Sequence, residues 1–166
     1  MRYHSGVDEA PLQANFMRTI LFICTGNTCR SPLAEGIARS LLKDRSDEVF
    51  VASAGVAAME GSPTSVETLA TLASHGIEYE GRSNILTPDM IRNASHVLCM
   101  TESHAKVARA MVEGEPRVQS RIQVLDPDRD LLDPIGQGQA VYDALADQLL
   151  GLLPDRLDTL LKEEVE

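Results

Sequence analysis

Ile20-Leu21-Phe22-Ile23-Cys24-Thr25-Gly26-Asn27-Thr28-Cys29-Arg30-Ser31-Pro32-Leu33 is the stretch on which the fold and the chemistry of this chain turn. Its apolar head has no polar interruption, the pattern of a strand buried on both faces. Ser31-Pro32, continued by Leu33-Ala34-Glu35-Gly36-Ile37-Ala38, opens a helix, because proline is tolerated in the first turn. One cysteine therefore stands where a buried strand turns into a helix N-terminus, with five residues between it and an arginine. Such a loop turns backbone N–H groups and the positive end of a helix dipole into one small space, which binds an oxyanion and favours a thiolate. The pattern points to phosphate chemistry with Cys24 as nucleophile.

Outward from this loop, strand-like and helix-like segments alternate. Thr19–Ile23, Val49–Ala54, Val97–Met100 and Arg121–Leu125 read as strands. Helices are expected over Ser31–Arg45, over Thr64–Ser74 with Gly76 as its stop, from Thr87-Pro88-Asp89 to about Ala94, and over Ser103–Val112. From Gly138 the pattern is helical to the end, with Pro154 expected to break or kink it. Strands separated by helices imply βαβ units and a parallel sheet covered on both faces. The expected fold is α/β, a single-domain Rossmann-like three-layer sandwich with a four-stranded parallel sheet and helices on both faces. Ligands of such sheets sit beyond the carboxyl ends of the strands, where the Cys24 loop falls.

The chain has 166 residues, enough for one domain, and the patterned part spans 18–166. Residues 1–17 are polar and aperiodic and read as a flexible extension, or Met17 as the true start. A net charge of −10 argues against nucleic-acid and anionic-membrane partners, since no basic surplus exists to neutralise phosphates. No apolar run approaches a membrane span, and the first residues lack the basic start and apolar block of a signal peptide. Three cysteines do not make a disulfide framework, which fits a reducing, cytoplasmic compartment. Cys24, Cys29, Cys99 and four scattered histidines give no zinc-like spacing, so neither a metal nor another cofactor is expected.

Each residue of the loop suits the chemistry. Arg30 offers a planar fork that holds two equatorial phosphoryl oxygens through an in-line displacement, a geometry lysine lacks. Gly26 allows close backbone approach and positive φ, and Asn27 tolerates left-handed geometry while its amide locks the loop. Ser31 can donate a hydrogen bond to the thiolate and assist its departure in the second step. Thr25, Gly26, Asn27, Thr28, Cys29 and Ser31 are the expected substrate-binding residues. Cys29 has two readings, a small hydrophobe packed behind the loop or a partner of Cys24 in a reversible protective disulfide.

Cys24-Thr25-Gly26-Asn27-Thr28-Cys29-Arg30-Ser31-Pro32 resembles the phosphate-binding loop of the low-molecular-weight protein tyrosine phosphatase family. The likeness continues through Ser53-Ala54-Gly55, Val97-Leu98-Cys99-Met100-Thr101 and Asp133-Pro134-Ile135-Gly136, and so covers about Arg18 to the C-terminus. It implies a metal-independent phosphatase working on a phosphorylated protein through a cysteinyl-phosphate intermediate. Cys24 would be the nucleophile, Arg30 the transition-state clamp and Asp133 the general acid. Asp-Pro occurs twice, and Asp126-Pro127 reads instead as part of a solvated turn with Asp128, Arg129 and Asp130.

Within that family, tyrosine-directed members carry a longer aliphatic where this chain has Thr28, and arginine-directed members carry threonine. Ile135 and Gly136 follow the Asp-Pro where tyrosine-directed members place aromatics that pack on a phenyl ring. The resemblance thus favours phosphoarginine over phosphotyrosine, with a carboxyl at the mouth to suit a guanidinium leaving group. Thioredoxin-coupled arsenate reductases share a similar loop but relay a disulfide through two further cysteines, and this chain has only Cys99 beyond the loop. A non-catalytic phosphate-binding module would need neither sulfur nor acid. His75, His96 and His104 read as surface or strand-end residues without a catalytic partner. The sequence leaves the oligomeric state open, and a monomer is favoured by analogy with small α/β phosphatases.

Overall fold

The computed structural model describes residues 17–163. The expected extension, residues 1–17, lies outside the described residues apart from Met17, as do the last three residues of the expected C-terminal helix. In chain order the elements are β1 (Arg18–Cys24), α1 (Arg30–Leu41), β2 (Val49–Gly55), α2 (Val66–Ser74), α3 (Pro88–Asn93) and β3 (His96–Cys99). Then come α4 (Glu102–Met111), α5 (Pro116–Gln119), β4 (Ile122–Val124) and α6 (Gln139–Lys162). The four strands form one parallel sheet in the order β2-β1-β3-β4.

The period of two in β1 explains the three layers. Ile20, Phe22 and Cys24 point into one apolar cluster, shared with Leu33 and Ile37 of α1, Leu72 of α2 and Leu149 and Leu153 of α6. Leu21 and Ile23 point into another, shared with Ile91 of α3 and Ala105 and Ala108 of α4. Ile20 and Phe22 are fully buried, each worth roughly 1.5–3 kcal/mol of transfer free energy. The expected α/β sandwich with helices on both faces is the observed fold.

Two local expectations are corrected, and one element is added. Helix α1 stops at Leu41, and a short 3₁₀ turn at Lys43–Arg45 replaces its expected last turn. Lys43, Asp44 and Arg45 are all exposed, so no apolar face remains to hold an α-helix there. Pro154 does not break α6, because Leu149, Leu153, Leu157 and Leu160 are buried on both sides of it. Their packing outweighs the roughly 3 kcal/mol that an interior proline costs. The short helix α5, begun by Pro116 after Gly114, was not expected from periodicity, being only one turn long.

The carboxyl ends of β1, β2 and β3 meet at one edge of the sheet. Loop 25–29 leaves β1 there, and α4 begins just past β3 with Thr101 as its cap. The segment between β4 and α6 returns to the same edge, since the Leu131 amide donates to the Met100 carbonyl at 2.9 Å. Among the described residues no helix is long and apolar enough to cross a membrane.

Candidate active site

Cys24 is the last residue of β1 and is 3% exposed, which seats its sulfur at the base of the loop rather than on its rim. The sulfur has two donors: the Asn27 amide at 3.3 Å and the Ser31 hydroxyl at 2.9 Å. Asn27 Nδ2 donates to Ser31 Oγ at 2.7 Å, which leaves the Ser31 hydroxyl proton free to point at the sulfur. The same Nδ2 donates to Ser53 Oγ at 2.8 Å, and Asn27 Oδ1 accepts the Asn84 amide at 2.8 Å. Asn27 is thereby buried with its amide group satisfied from three sides.

These bonds hold Asn27 at φ 55°, the only described non-glycine residue in the left-handed region. The positive φ expected at Gly26 is therefore found at its neighbour. Gly26 is not crowded either, since a Cβ there would meet only Thr28 Oγ1, at 3.8 Å. The glycine the loop requires is Gly55, at the end of β2. A Cβ on Gly55 would lie 2.4 Å from the Thr25 carbonyl oxygen and 2.9 Å from the Asn27 nitrogen. Neighbouring chain thus presses directly on the loop.

The amides of Gly26, Thr28, Cys29, Arg30 and Ser31 find no acceptor among the described residues. They gather at the N-terminus of α1, a constellation that binds a tetrahedral oxyanion. Arg30 is 5% exposed although charged. Its Nη1 donates to the Leu131 carbonyl at 3.0 Å, and its Nη2 to Thr25 Oγ1 at 3.3 Å. Two of the five guanidinium protons are thus spent on the scaffold, and three remain for a ligand.

Asp133 stands across this space, its Oδ2 3.7 Å from Arg30 Nη2 and its side chain 46% exposed. Its Oδ1 accepts the Ile135 amide at 3.1 Å, and its carbonyl accepts from Gln137 at 2.7 Å, so Pro134 closes a turn that presents the carboxyl outward. Asp126 differs from the expected solvated turn residue in being buried. Its Oδ1 accepts the Asp128 amide at 2.9 Å and its Oδ2 lies 3.6 Å from Arg129, which makes it the clasp of a turn whose other residues are exposed.

Thr28 is half-buried, with its carbonyl tied to the Ser65 amide at 2.9 Å and its Oγ1 3.7 Å from Cys29 Sγ. Cys29 is buried, and its sulfur lies 3.3 Å from Tyr142 Oη on α6, so its contribution to the ligand space comes from its amide. Cys99 is 0% exposed in β3, and burial pushes its thiol up to about 12. It is an inert core residue, unfit to relay a disulfide.

His96 is the strand-end residue expected, whereas His104 departs from expectation. His96, at the start of β3, is buried with its Nε2 unpartnered. His104, in the first turn of α4, is buried at 5% exposure, and its Nε2 lies 2.8 Å from Thr25 Oγ1. Burial, and then the charge of Arg30, pull His104 down to about 4. His104, Asn84 and Gly55 are the site residues that single-residue reasoning missed. The one available signal for His104 was Thr101-Glu102-Ser103-His104, a capping threonine that puts the histidine in the first helical turn at the sheet edge.

The family model described as low molecular weight phosphotyrosine protein phosphatase matches residues 19–166. A protein-arginine-phosphatase of Geobacillus stearothermophilus is 41% identical over 150 residues, covering 87% of this chain and 97% of that protein. The low molecular weight protein-tyrosine-phosphatase PtpB of Staphylococcus epidermidis is 34% identical over 124 residues, covering 75% and 86%. Among solved structures, a YwlE arginine phosphatase mutant with a phosphorylated active-site serine superimposes with a TM-score of 0.80 at 30% identity, covering 88% of this chain and 97% of the other.

Proposed function

The chain belongs to the low-molecular-weight phosphotyrosine protein phosphatase family, and from that premise we propose that it hydrolyses phosphoarginine in proteins by two displacements at Cys24. The observation that carries the reaction class is the buried sulfur of Cys24 at the start of a loop of free amides, with Arg30, bonded to Thr25 of that loop, 3.7 Å from Asp133.

In the first step Cys24 Sγ attacks phosphorus in line, the S–P bond forms and the P–N bond to the substrate guanidinium breaks. Asp133 gives its proton to the departing nitrogen. The loop amides and the three free protons of Arg30 hold the equatorial oxygens, where charge is densest in the transition state. In the second step Asp133, now a carboxylate, takes a proton from water as the water attacks phosphorus. The S–P bond breaks and inorganic phosphate leaves. Ser31, its proton directed at the sulfur by Asn27, stabilises the returning thiolate. Sulfur, carboxyl and guanidinium supply every group these steps need.

Phosphoarginine is favoured over phosphotyrosine by Thr28 and by the rim. Leu132 is 79% exposed and Ile135 65% exposed beside Asp133, and no aromatic ring flanks the carboxyl in sequence. The 41%-identical relative, itself named an arginine phosphatase, supports the same reading. The partner is a phosphorylated protein met in the cytoplasm, with the chain acting as a monomer.

The deciding experiment compares one peptide carrying phosphoarginine with the same peptide carrying phosphotyrosine. A higher kcat/KM on phosphoarginine is expected, and a clear preference for phosphotyrosine returns the protein to the tyrosine-directed branch. Turnover of either substrate must vanish in Cys24→Ser. Persistent turnover in that variant removes the covalent mechanism.

A further inference from the structure

Among the described residues two hydrogen bonds hold the Arg30 guanidinium to the scaffold, and the acceptor of one of them is itself held by a histidine. Leu131 anchors Nη1 through a backbone carbonyl, and Thr25 anchors Nη2 through a hydroxyl. A planar guanidinium with both ends anchored cannot rotate in its plane; released at one end, it swings about the other. The two anchors differ in stiffness. Leu131 O is fixed by the pairing of its own amide with Met100. Thr25 belongs to an exposed loop position, where a threonine side chain has alternative rotamers open to it.

His104 removes that freedom. Its Nε2 is 2.8 Å from Thr25 Oγ1, and its Nδ1 is 3.0 Å from Thr101 Oγ1. Thr101 Oγ1 in turn accepts the backbone amide of His104 at 3.2 Å as the cap of α4. The chain Thr101–His104–Thr25–Arg30–Asp133 therefore links the start of α4 to the anion space. It spans two layers of the fold, since α4 packs on one face of the sheet and α1 on the other.

We propose that His104 is a positioning residue for Arg30, acting through the Thr25 hydroxyl that both side chains share. The proposal rests on the reading of Arg30 as the oxyanion clamp. A neutral imidazole has one donor nitrogen and one acceptor nitrogen, and between two hydroxyls either tautomer closes the chain. An imidazolium would set a second cation beside Arg30 in a buried place. The charged groups that face His104 are Arg30 from α1 and Asp130 and Asp133 from the segment before α6, and the ring is held neutral, at about 4.

The test uses the full chain with His104→Phe, His104→Gln, Thr25→Val and the double variant His104→Phe/Thr25→Val. Phenylalanine fills the space without a polar nitrogen, and glutamine reaches with its amide to about the place of Nε2. His104→Phe should lower kcat/KM by about 10- to 100-fold, the scale of a slightly misplaced catalytic group. The factor should be equal on an aryl phosphate and on a phosphoarginine peptide, because Arg30 touches only the phosphoryl oxygens common to both. Orthovanadate inhibition should weaken in parallel. His104→Gln should recover to within about 3-fold of wild type, Thr25→Val should match His104→Phe, and the double variant should be no worse than either.

Wild-type kinetics in His104→Phe, no rescue by glutamine, a substrate-dependent loss, or losses that multiply in the double variant would each overturn the proposal. If His104→Phe does not fold, Thr25→Val at an exposed position carries the same expectation, and its wild-type activity also overturns it. A failed phosphoarginine assignment shows separately, as a wild-type preference for phosphotyrosine with the His104 factor still equal on both substrates.

Discussion

The loop that holds Cys24 and the segment that carries Asp133 lie against each other, yet they are built in opposite ways. In the loop, Asn27, Arg30 and Ser31 are buried, and Asn27 alone is tied to Ser31, Ser53 and the Asn84 amide. In the segment from Pro127 to Gln137, every residue but Leu131 and Pro134 is exposed, and Asp133 is held by its own local turn. The difference follows from what each must do. Oxyanion binding gains from donors that do not reorganise, whereas an acid that must meet varied leaving groups and then water needs access. In the proposed function the loop sets the reaction class, and the exposed segment with Thr28 sets the substrate.

The contrast breaks most readily at the carboxyl. Asp133→Asn should lower kcat by about 10³-fold with an aryl or guanidino leaving group while leaving Tm unchanged, since general acid–base groups supply 10²–10⁴. Asp126→Asn should do the reverse, costing about 1 kcal/mol of stability with activity near wild type, as expected for a turn clasp. Exchanged outcomes for the two variants would move the acid to Asp126.

Asn27→Ala probes the other side. It removes three hydrogen bonds and leaves a left-handed residue without its restraints, so both quantities should fall together: about 10²-fold in kcat/KM and about 2–4 kcal/mol in stability. A loss of activity at unchanged Tm would mean that the loop is not held by this network.

Thr28→Ile sharpens the division of labour. The ratio of phosphoarginine to phosphotyrosine turnover should drop by about 10-fold, within the range a pocket methyl or hydroxyl can contribute. A constant ratio would assign specificity to the Asp133 rim alone.

The last effect concerns stability against pH. His104 titrates near 4 in the folded chain and near its ordinary 6.5 when unfolded. On acidification the unfolded chain takes up the proton first, so stability present above pH 6.5 is lost as pH falls toward 4, by about 3 kcal/mol. His96, also lowered by burial, acts in the same direction, and Glu35, whose carboxyl burial raises, acts against it. Urea midpoints of wild type and His104→Gln across this range cancel both. A wild-type slope no steeper than that of His104→Gln would contradict the buried neutral ring.

Much of this was legible in the chain itself. Unbroken apolar runs marked the central strands β1 and β3, because a strand covered on both faces has no polar side to show. Ser31-Pro32 marked the helix start, and Cys24 to Arg30 marked the anion loop, because all of that chemistry lies within one turn of chain. The end of α1 and the continuity of α6 through Pro154 were misread for a common reason. Both depend on whether neighbouring side chains find a core to enter, which local pattern does not report.

By itself the sequence determined a parallel α/β sheet, a cysteine at a helix N-terminus and an arginine placed to share its ligand, since each is a matter of residues a few positions apart. Tertiary structure alone decided what holds them. It set Gly55 against the Thr25 carbonyl, Asn84 against Asn27 across 57 positions, and His104 against Thr25 across 79. Those contacts exist only because β1, β2 and β3 end at one edge of one sheet. Spacing along the chain carries no trace of them until that sheet has formed.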